Sequence, residues 1–463
     1  MKNIYIIGAG PSGLITGREL AKKGYNVNVF EKSSFVGGMC RTWKEDNYLL
    51  DTGPHIYHTP NKELAKIWKK DFGDILIEGD FWSKNVVDGD VNNLVDYPLS
   101  WEQINEFPKN IRRKVLKELS LCDQTKSIGT NNFKDYVINL VGETLTDMFF
   151  TRYPEKVWGI PTHELTADWA PKRIEIRKKK TPFYTNQFAA VGKYGTGCVY
   201  QKIADDFKSL GGIIHLENAL TGLKFDSNTI SELILKNNNI KLSSDDIVIS
   251  TIPITLLGYY LGIDSNLEFR GINSVYISTN KNNINWPENT HWLYFDYSDF
   301  SFNRITNSTS LSPHVSPNDE ILLTIESTYS KNDKIDSFKK QDLEKFILDQ
   351  LAMSKILIDK NDIKFISSNK EPFVYPLQYP GFQIDLATLK SGIEKYKNLY
   401  SIGTGGDFNY ADSQVLFHKA YDLVANISGS DSKINQIQKT NSLREFNNSF
   451  YIDDFKVGGE NSK

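Results

Sequence analysis

Apolar residues cluster along this chain in strand-like runs and helix-like periods, and the first run anchors the rest. Ile4 to Ile7 is uniformly apolar, as expected of a strand buried on both faces. Leu14 to Lys23 has helical spacing, and Asn26 to Phe30 reads as a second strand. From Ser100 to about Lys180, periodic positions such as Val115, Leu119 and Leu121, then Phe133, Val137 and Leu140, predict a mainly helical insertion ending in the charged run Lys178 to Lys180. Tyr200 to Phe207 predicts a further helix. Ile213 to Leu216 and Ile247 to Ser250 predict strands that rejoin the first unit. Residues from about 255 to 375 alternate as strands, with a helix near Asp342 to Met353. A strand at Leu399 and a helix from about Ser413 to Ile427 follow. The tail after Ser428 is rich in Asn, Ser, Asp, Lys and Gly, which bury too little apolar surface to order themselves.

The turn between the first strand and helix carries the first chemistry. Gly8 permits a tight turn, Gly10 lets a pyrophosphate approach the backbone, and Gly13 lets helix and strand pack closely. Pro11 and Ser12 open the helix, whose N-terminal N–H groups face an anion. Glu31 ends the second strand and would accept hydrogen bonds from a ribose. Strand, glycine turn, helix, strand and acid in order predict a bound dinucleotide. The expected architecture is α/β. A discontinuous Rossmann-type unit covers 1–99, 181–254 and 390–430, with a helical insertion over 100–180. A second, mainly antiparallel substrate sheet covers 255–389, and a polar tail covers 431–463.

Length and charge narrow the classes. The 463 residues suffice for two or three large cores. With 54 basic against 57 acidic residues, the net charge of −3 argues against a nucleic-acid partner recruited by charge. Cys40, Cys122 and Cys198 are few and scattered, which points to a reducing compartment without a disulfide framework or zinc site. The longest uncharged run, Ile247 to Ile263, falls short of the ~20 apolar residues a spanning helix needs and reads as a buried strand plus a turn. No basic-then-apolar leader precedes the first strand, so a cytoplasmic protein is expected.

Gly37, Gly38 and Arg41 follow the second strand, and Gly403, Thr404, Gly405 and Gly406 follow the strand at Leu399. Both turns resemble those of the flavoprotein amine oxidase and protoporphyrinogen oxidase superfamily. The resemblance implies FAD rather than NAD, with Gly38, Arg41, Leu220, Gly403, Thr404, Tyr410 and Asp412 beside it.

Several distant segments further resemble the UDP-galactopyranose mutases, especially the eukaryotic type. Gly53 to Thr59 is similar to the loop on the flavin's reactive face, which puts His55 at flavin N5 and Tyr57 at an aromatic substrate position. Tyr97 with Pro98 resembles a segment near the nucleotide sugar, with Ser100 replacing the glutamine of the eukaryotic enzymes. Lys156 to Thr162, including Trp158, leads to Trp169 and Arg173 at the family's spacing; Arg177 is a second candidate. Trp292 and Tyr294, then Arg304 twelve residues after Trp292, match a further segment. Tyr375 resembles a tyrosine near the substrate pyrophosphate, with Tyr379 as a rival, and Tyr410 matches the tyrosine after the closing turn. Arg173 and Arg304 would hold the diphosphate, because a guanidinium fork matches phosphate oxygens and keeps its charge. One departure stands out. Thr404 replaces the family's arginine, and Asp407 adds an acid nearby.

The resemblance implies a nucleotide-diphosphate-sugar substrate. Reduced-flavin N5 would attack the anomeric carbon to interconvert pyranose and furanose forms, in cell-surface glycan biosynthesis, with NADH or NADPH as candidate reductant. No metal-ligand spacing occurs, so no metal is expected. An FAD-dependent oxidoreductase acting on a sugar nucleotide, amine or related substrate is the alternative, and a non-catalytic FAD-containing binding protein is a third. The sugar, the base and the oligomeric state stay open.

Overall fold

The computed structural model describes residues 2–122, 130, 132–167 and 174–432. The first apolar run becomes the middle strand, Asn3–Ile7, of a five-stranded parallel sheet. Across that sheet the strands run Ile213–His215, Asn26–Phe30, Asn3–Ile7, Ile247–Ser250 and Leu399–Ser401. Ile6 pairs with Val29 on one side and Ile249 on the other. Helices Pro11–Lys22, Gly197–Ser209 and Ser413–Ser428 bury Leu14, Ile15, Phe207 and Phe417 in the same core. A doubly covered parallel sheet requires such apolar strands. The run after Ile247 departs from the expected turn: Pro253 starts a helix, Ile254–Tyr260, because its fixed φ suits the position just before the first helical turn.

A seven-stranded sheet faces this unit. Its strands, in spatial order, are Phe365–Pro376, Phe269–Asn280, Glu320–Tyr329, Arg304–Asn307, Trp292–Phe295, Ser83–Val86 and Leu94–Tyr97. The last two were expected in the nucleotide unit. They join the seven-stranded sheet instead, through parallel pairing of Ser83–Val86 with Trp292–Phe295. Two hydrogen bonds pin the loop leading to His55 onto this sheet. Ser274 Oγ donates to the Thr52 carbonyl at 2.7 Å and Tyr276 Oη to the Asp51 carbonyl at 2.7 Å.

Helices Trp101–Glu106, Lys109–Leu121, Phe133–Leu145 and Arg152–Trp158 wall the open end. Ser100 and Asn132 cap two of them, accepting hydrogen bonds from the N–H groups of Gln103 and Asp135. Phe133, Val137, Val157 and Trp158 share a core with Tyr375 of the large sheet. Of the periodic positions, Val115 is buried, but Leu121 ends its helix exposed. Lys180 stays exposed and pairs with Asp96 at 3.0 Å. Within the predicted tail, residues 433–463 lie outside the described residues.

Candidate functional site

The cradle for a dinucleotide is built from backbone. A Cβ at Gly13 would lie 2.0 Å from the Gly8 carbonyl oxygen, so helix and turn meet at a distance only glycine allows. At Gly10 the nearest atom to an added Cβ is Gly38 Cα at 3.9 Å, which leaves open space in front of the turn. Helix Pro11–Lys22 starts with Pro11 in its first turn and without a side-chain cap, and so does Ser413–Ser428 behind Asp412. Uncapped N-termini offer N–H donors to an anion. The closing turn reaches the first: a Cβ on Gly403 would come within 2.8 Å of Ser12 Oγ. Glu31 is held towards the glycine turn, accepting from Ala9 N–H at 2.8 Å and from Ser33 N–H and Oγ at 2.9 Å. Leu220 packs in one core with Ile7 and Phe30. These features fit a dinucleotide: a recess a Cβ would fill, bare helix ends and an oriented carboxylate.

The closing turn itself is a one-turn helix, Gly403–Gly406. The acid that sequence placed there is neutralised, since Lys419 Nζ lies 2.6 Å from Asp407 Oδ2. Lys419 comes from the following helix, and nothing in its local sequence marks that role. Arg41 donates to the Gly38 carbonyl at 3.0 Å and forms an ion pair with Glu371 of the large sheet. It ties the second glycine turn to that sheet.

Opposite the cradle, one row of cross-strand neighbours carries the polar part of the site. In register across the seven-stranded sheet stand Asn369, Ser274, Glu326, Arg304, Tyr294 and Asn85. Gly53 rests on this row; a Cβ there would lie 2.9 Å from Glu326 Oε1. Glu326 grips Arg304 with both carboxylate oxygens, one of them 2.7 Å from Nη2. Burial works against the Arg304 charge, but Glu326 outweighs it and holds the guanidinium well above its ordinary pKa. His55 Nδ1 lies 2.8 Å from the Gly53 carbonyl, so it donates there and leaves Nε2 as an acceptor. Burial, with Arg304 second, lowers the His55 pKa to about 4.

Stability should respond to that shift. A histidine held neutral stabilises the fold above its unfolded pKa, near 6.5, and loses that contribution as pH falls towards about 4. The parent should therefore lose melting temperature between pH 6.5 and 4 more steeply than His55→Gln. Equal slopes would show that His55 does not titrate this way.

Beyond Arg304 the row opens into a cleft of about 710 Å³, open to solvent and walled by aromatic rings. Tyr97, Trp158, Tyr294, Arg304, Tyr375 and Tyr410 all line it. Tyr375 and Tyr410 stack with centroids 5.1 Å apart, and Tyr294 meets Tyr97 edge-on at 5.5 Å. Tyr375 is therefore the lining tyrosine, whereas its rival Tyr379 donates to Asp385 at 2.6 Å. Two expected substrate contacts are placed elsewhere. Tyr57 is 1% exposed, donates to the Thr196 carbonyl at 3.0 Å and packs on Trp68, because its strand turns this position into the nucleotide-unit core. Trp292 is buried against Phe183, on the sheet face opposite its neighbour Leu293. Trp169 and Arg173 lie outside the described residues. His55 and His58 do not converge: His58 meets Gln187 at 3.2 Å and Asp412 at 3.7 Å.

Arg177 is committed to structure. It pairs with Glu175 and donates to the carbonyls of Pro182 at 2.6 Å and Phe183 at 2.9 Å, presenting Phe183 to the cleft. Arg177→Met should raise KM several-fold with kcat nearly unchanged, since a loosened loop weakens binding without touching the reacting atoms. A fall in kcat at constant KM would contradict this. Asn85, Tyr153, Phe149 and Phe150 also line the cleft and were missed, for Asn85 belongs to a strand that only the sheet pairing brings here.

Residues 6–70 match the NAD(P)-binding Rossmann-like domain family. The "Probable UDP-galactopyranose mutase" of Klebsiella pneumoniae is 28% identical over 214 residues, 44% of this chain and 53% of that protein. The dTDP-fucopyranose mutase of Escherichia coli is 25% identical over 212 residues, 44% and 54% of the two chains. These alignments span about half the length of the curated relatives. A crystal structure of reduced UDP-galactopyranose mutase superposes with a TM-score of 0.77 at 20% identity, covering 93% of this chain and 96% of the other. The chain has the fold of a UDP-galactopyranose mutase. Its likeness to that enzyme extends from the glycine cradle through the large sheet, since the superposition takes in nearly the whole of both chains. Among the described residues no helix is long and apolar enough to cross a membrane, and no group of three or more His, Cys, Asp or Glu side chains could hold a metal ion.

Proposed function

We propose that this protein is an FAD-dependent nucleotide-sugar mutase that interconverts pyranose and furanose forms of a nucleoside-diphosphate sugar. The observation that carries the reading is the cross-strand row, which sets Arg304 between the His55 loop and the aromatic cleft. The similarity to two mutases of nucleotide sugars supports it. FAD would lie in the glycine cradle, with Gly8, Gly10, Gly13 and Glu31 at its adenosine diphosphate half and Gly403, Thr404, Tyr410 and Asp412 at its flavin half. When reduced, it supplies the nucleophile for the anomeric carbon, with NADH or NADPH as the source of electrons.

The chain's own residues hold and release charge. Arg304, kept in place by Glu326, faces the departing diphosphate, and developing negative charge strengthens that contact. Arg173, at the family spacing, is the second cation in this proposal. Tyr294, Tyr375 and Tyr410 line the cleft with ring faces, which lowers the local dielectric and strengthens each electrostatic contact. His55, neutral at physiological pH, presents Nε2 as a hydrogen-bond acceptor towards the flavin face. Such a mutase would serve glycan biosynthesis in the cytoplasm.

The test incubates purified protein with UDP-galactofuranose and with dTDP sugars, with and without dithionite. Isomer exchange only in the reduced sample is expected. Stoichiometric flavin reduction by the substrate would replace the mutase with an oxidoreductase.

A further inference from the structure

We infer that Lys156 is a positioning residue for Arg304: it fixes the strand pair that carries Tyr294 and Arg304 to the helical wall of the cleft. The inference rests on the mutase reading above, since the role it assigns belongs to that reaction. Lys156 lies on helix Arg152–Trp158, whose Tyr153, Pro154, Val157 and Trp158 line the cleft. Lys156 points away from the lining. Its ammonium donates to the carbonyls of Phe295 at 3.0 Å and Phe302 at 3.2 Å.

Those two carbonyls are the roots of one connection. Tyr294 pairs with Arg304, and the Phe295 N–H donates to the Asn303 carbonyl at 3.0 Å. Beyond that bond the chain loops out over residues 296–302. Lys156 joins the two sides where they part, at the residue after Tyr294 and just before Asn303 and Arg304. The tip of the connection has its own anchor. There Gln350 accepts from the Ser301 N–H at 3.0 Å and donates to the Asp299 carbonyl at 3.0 Å. The ammonium therefore holds the strand ends next to the site, not the loop.

The backbone of Lys156 is itself fixed, so its side chain can transmit a position. The Lys156 carbonyl accepts from Thr328 Oγ1 at 2.6 Å and from Arg270 Nη2 at 3.3 Å, and the Val157 carbonyl from Arg270 Nε at 3.0 Å. Arg270 reaches them because Gly159 leaves it room; a Cβ there would lie 1.6 Å from Nη1. Thr328 follows Glu326 by two positions on one strand, so both face the same side. The strand that grips Arg304 through Glu326 thus also holds Lys156, which holds the Arg304 strand from its other end. Tyr153, one turn before Lys156, meets Tyr294 edge-on with centroids 4.9 Å apart. Burial lowers the Lys156 pKa to about 7; Asp296 and Asp299 oppose the shift and Arg152 adds to it. The two charge-assisted bonds offset that desolvation.

The experiment measures kcat and KM for UDP-galactofuranose and dTDP sugars on flavin-loaded, dithionite-reduced parent, Lys156→Met, Arg304→Lys and the double variant. Flavin content and melting temperature serve as controls. Lys156→Met keeps the reach of the side chain and removes its donors. Arg304 acts on charge that develops in the transition state, so its misplacement should lower kcat about 10- to 100-fold and leave KM within about threefold. In the Arg304→Lys background, where the guanidinium is already gone, the same substitution should cost less than about threefold. Lys156→Gln keeps a donor on a shorter side chain and should show the same loss of kcat in smaller measure, so it decides the matter if Lys156→Met fails to fold. An equal loss of kcat in both backgrounds overturns the inference. So does a lower melting temperature with parental kcat, or a raised KM at constant kcat. A parent that turns over neither UDP-galactofuranose nor dTDP sugars overturns the mutase reading, and this inference with it. A parent that turns over, with Lys156 variants that match it, overturns the role of Lys156 alone.

Discussion

Arg304→Ala should lose both turnover and fold stability. The turnover term follows from the diphosphate role: a contact that strengthens as charge develops is worth roughly 2–4 kcal/mol, or about 30- to 1000-fold in rate. The stability term follows from Glu326, which is 1% exposed and grips the guanidinium with both oxygens. Removing one partner of a buried pair strands the other charge, at a cost of about 3–5 kcal/mol. Because Arg304 lies outside the glycine motif, the sequence predicts that it can be removed with the fold intact; the pairing with Glu326 argues otherwise. Two further variants separate the effects. Arg304→Met with Glu326→Leu replaces the pair by apolar groups of similar volume, and should recover most of the melting temperature but none of the turnover. Arg304→Lys should retain the charge but lose the fork, restoring rate only in part. Normal turnover by the double variant would show that Arg304 serves the fold alone.

The second large effect separates two glycines three residues apart. Gly13→Ala would drive a methyl to 2.0 Å from the Gly8 carbonyl, where backbone meets backbone and neither can yield cheaply. That variant should be expressed as aggregate or melt far below the parent. At Gly10 the same methyl meets nothing closer than 3.9 Å. Gly10→Ala should therefore fold with a near-parental melting temperature in the absence of flavin, yet retain no FAD, because the methyl occupies the space a pyrophosphate needs. Absorbance near 450 nm, released FAD after denaturation and calorimetry of flavin-free protein read the two outcomes apart. A yellow Gly10→Ala protein with full FAD content would mean that the dinucleotide does not cross this turn.

What the sequence alone determined is local. A run of four apolar residues, glycines at turn positions and an acid at a strand end specify a strand, a turn and a helix within about thirty residues. Those contacts are short-range, so their residue types are constrained wherever the motif occurs. The helices of the insertion were legible for the same reason, through the 3.6-residue period. The resemblance to the UDP-galactopyranose mutases also singled out Tyr294, Arg304 and Tyr375, which the structure brings to one cleft. Tertiary structure alone decided what those groups face. Only sheet pairing shows that Ser83–Val86 lies beside Trp292–Phe295, which brings Asn85 into the site across more than two hundred residues of chain. Only the neighbouring strand shows that Arg304 is gripped by Glu326, only the following helix that Lys419 neutralises Asp407, and only the packed helix Lys62–Phe72 that Tyr57 turns inward to Trp68. Each of these depends on the register between distant strands or on the side of an element that faces the core. Register is settled by burial summed over the whole sheet, which no local window of sequence contains.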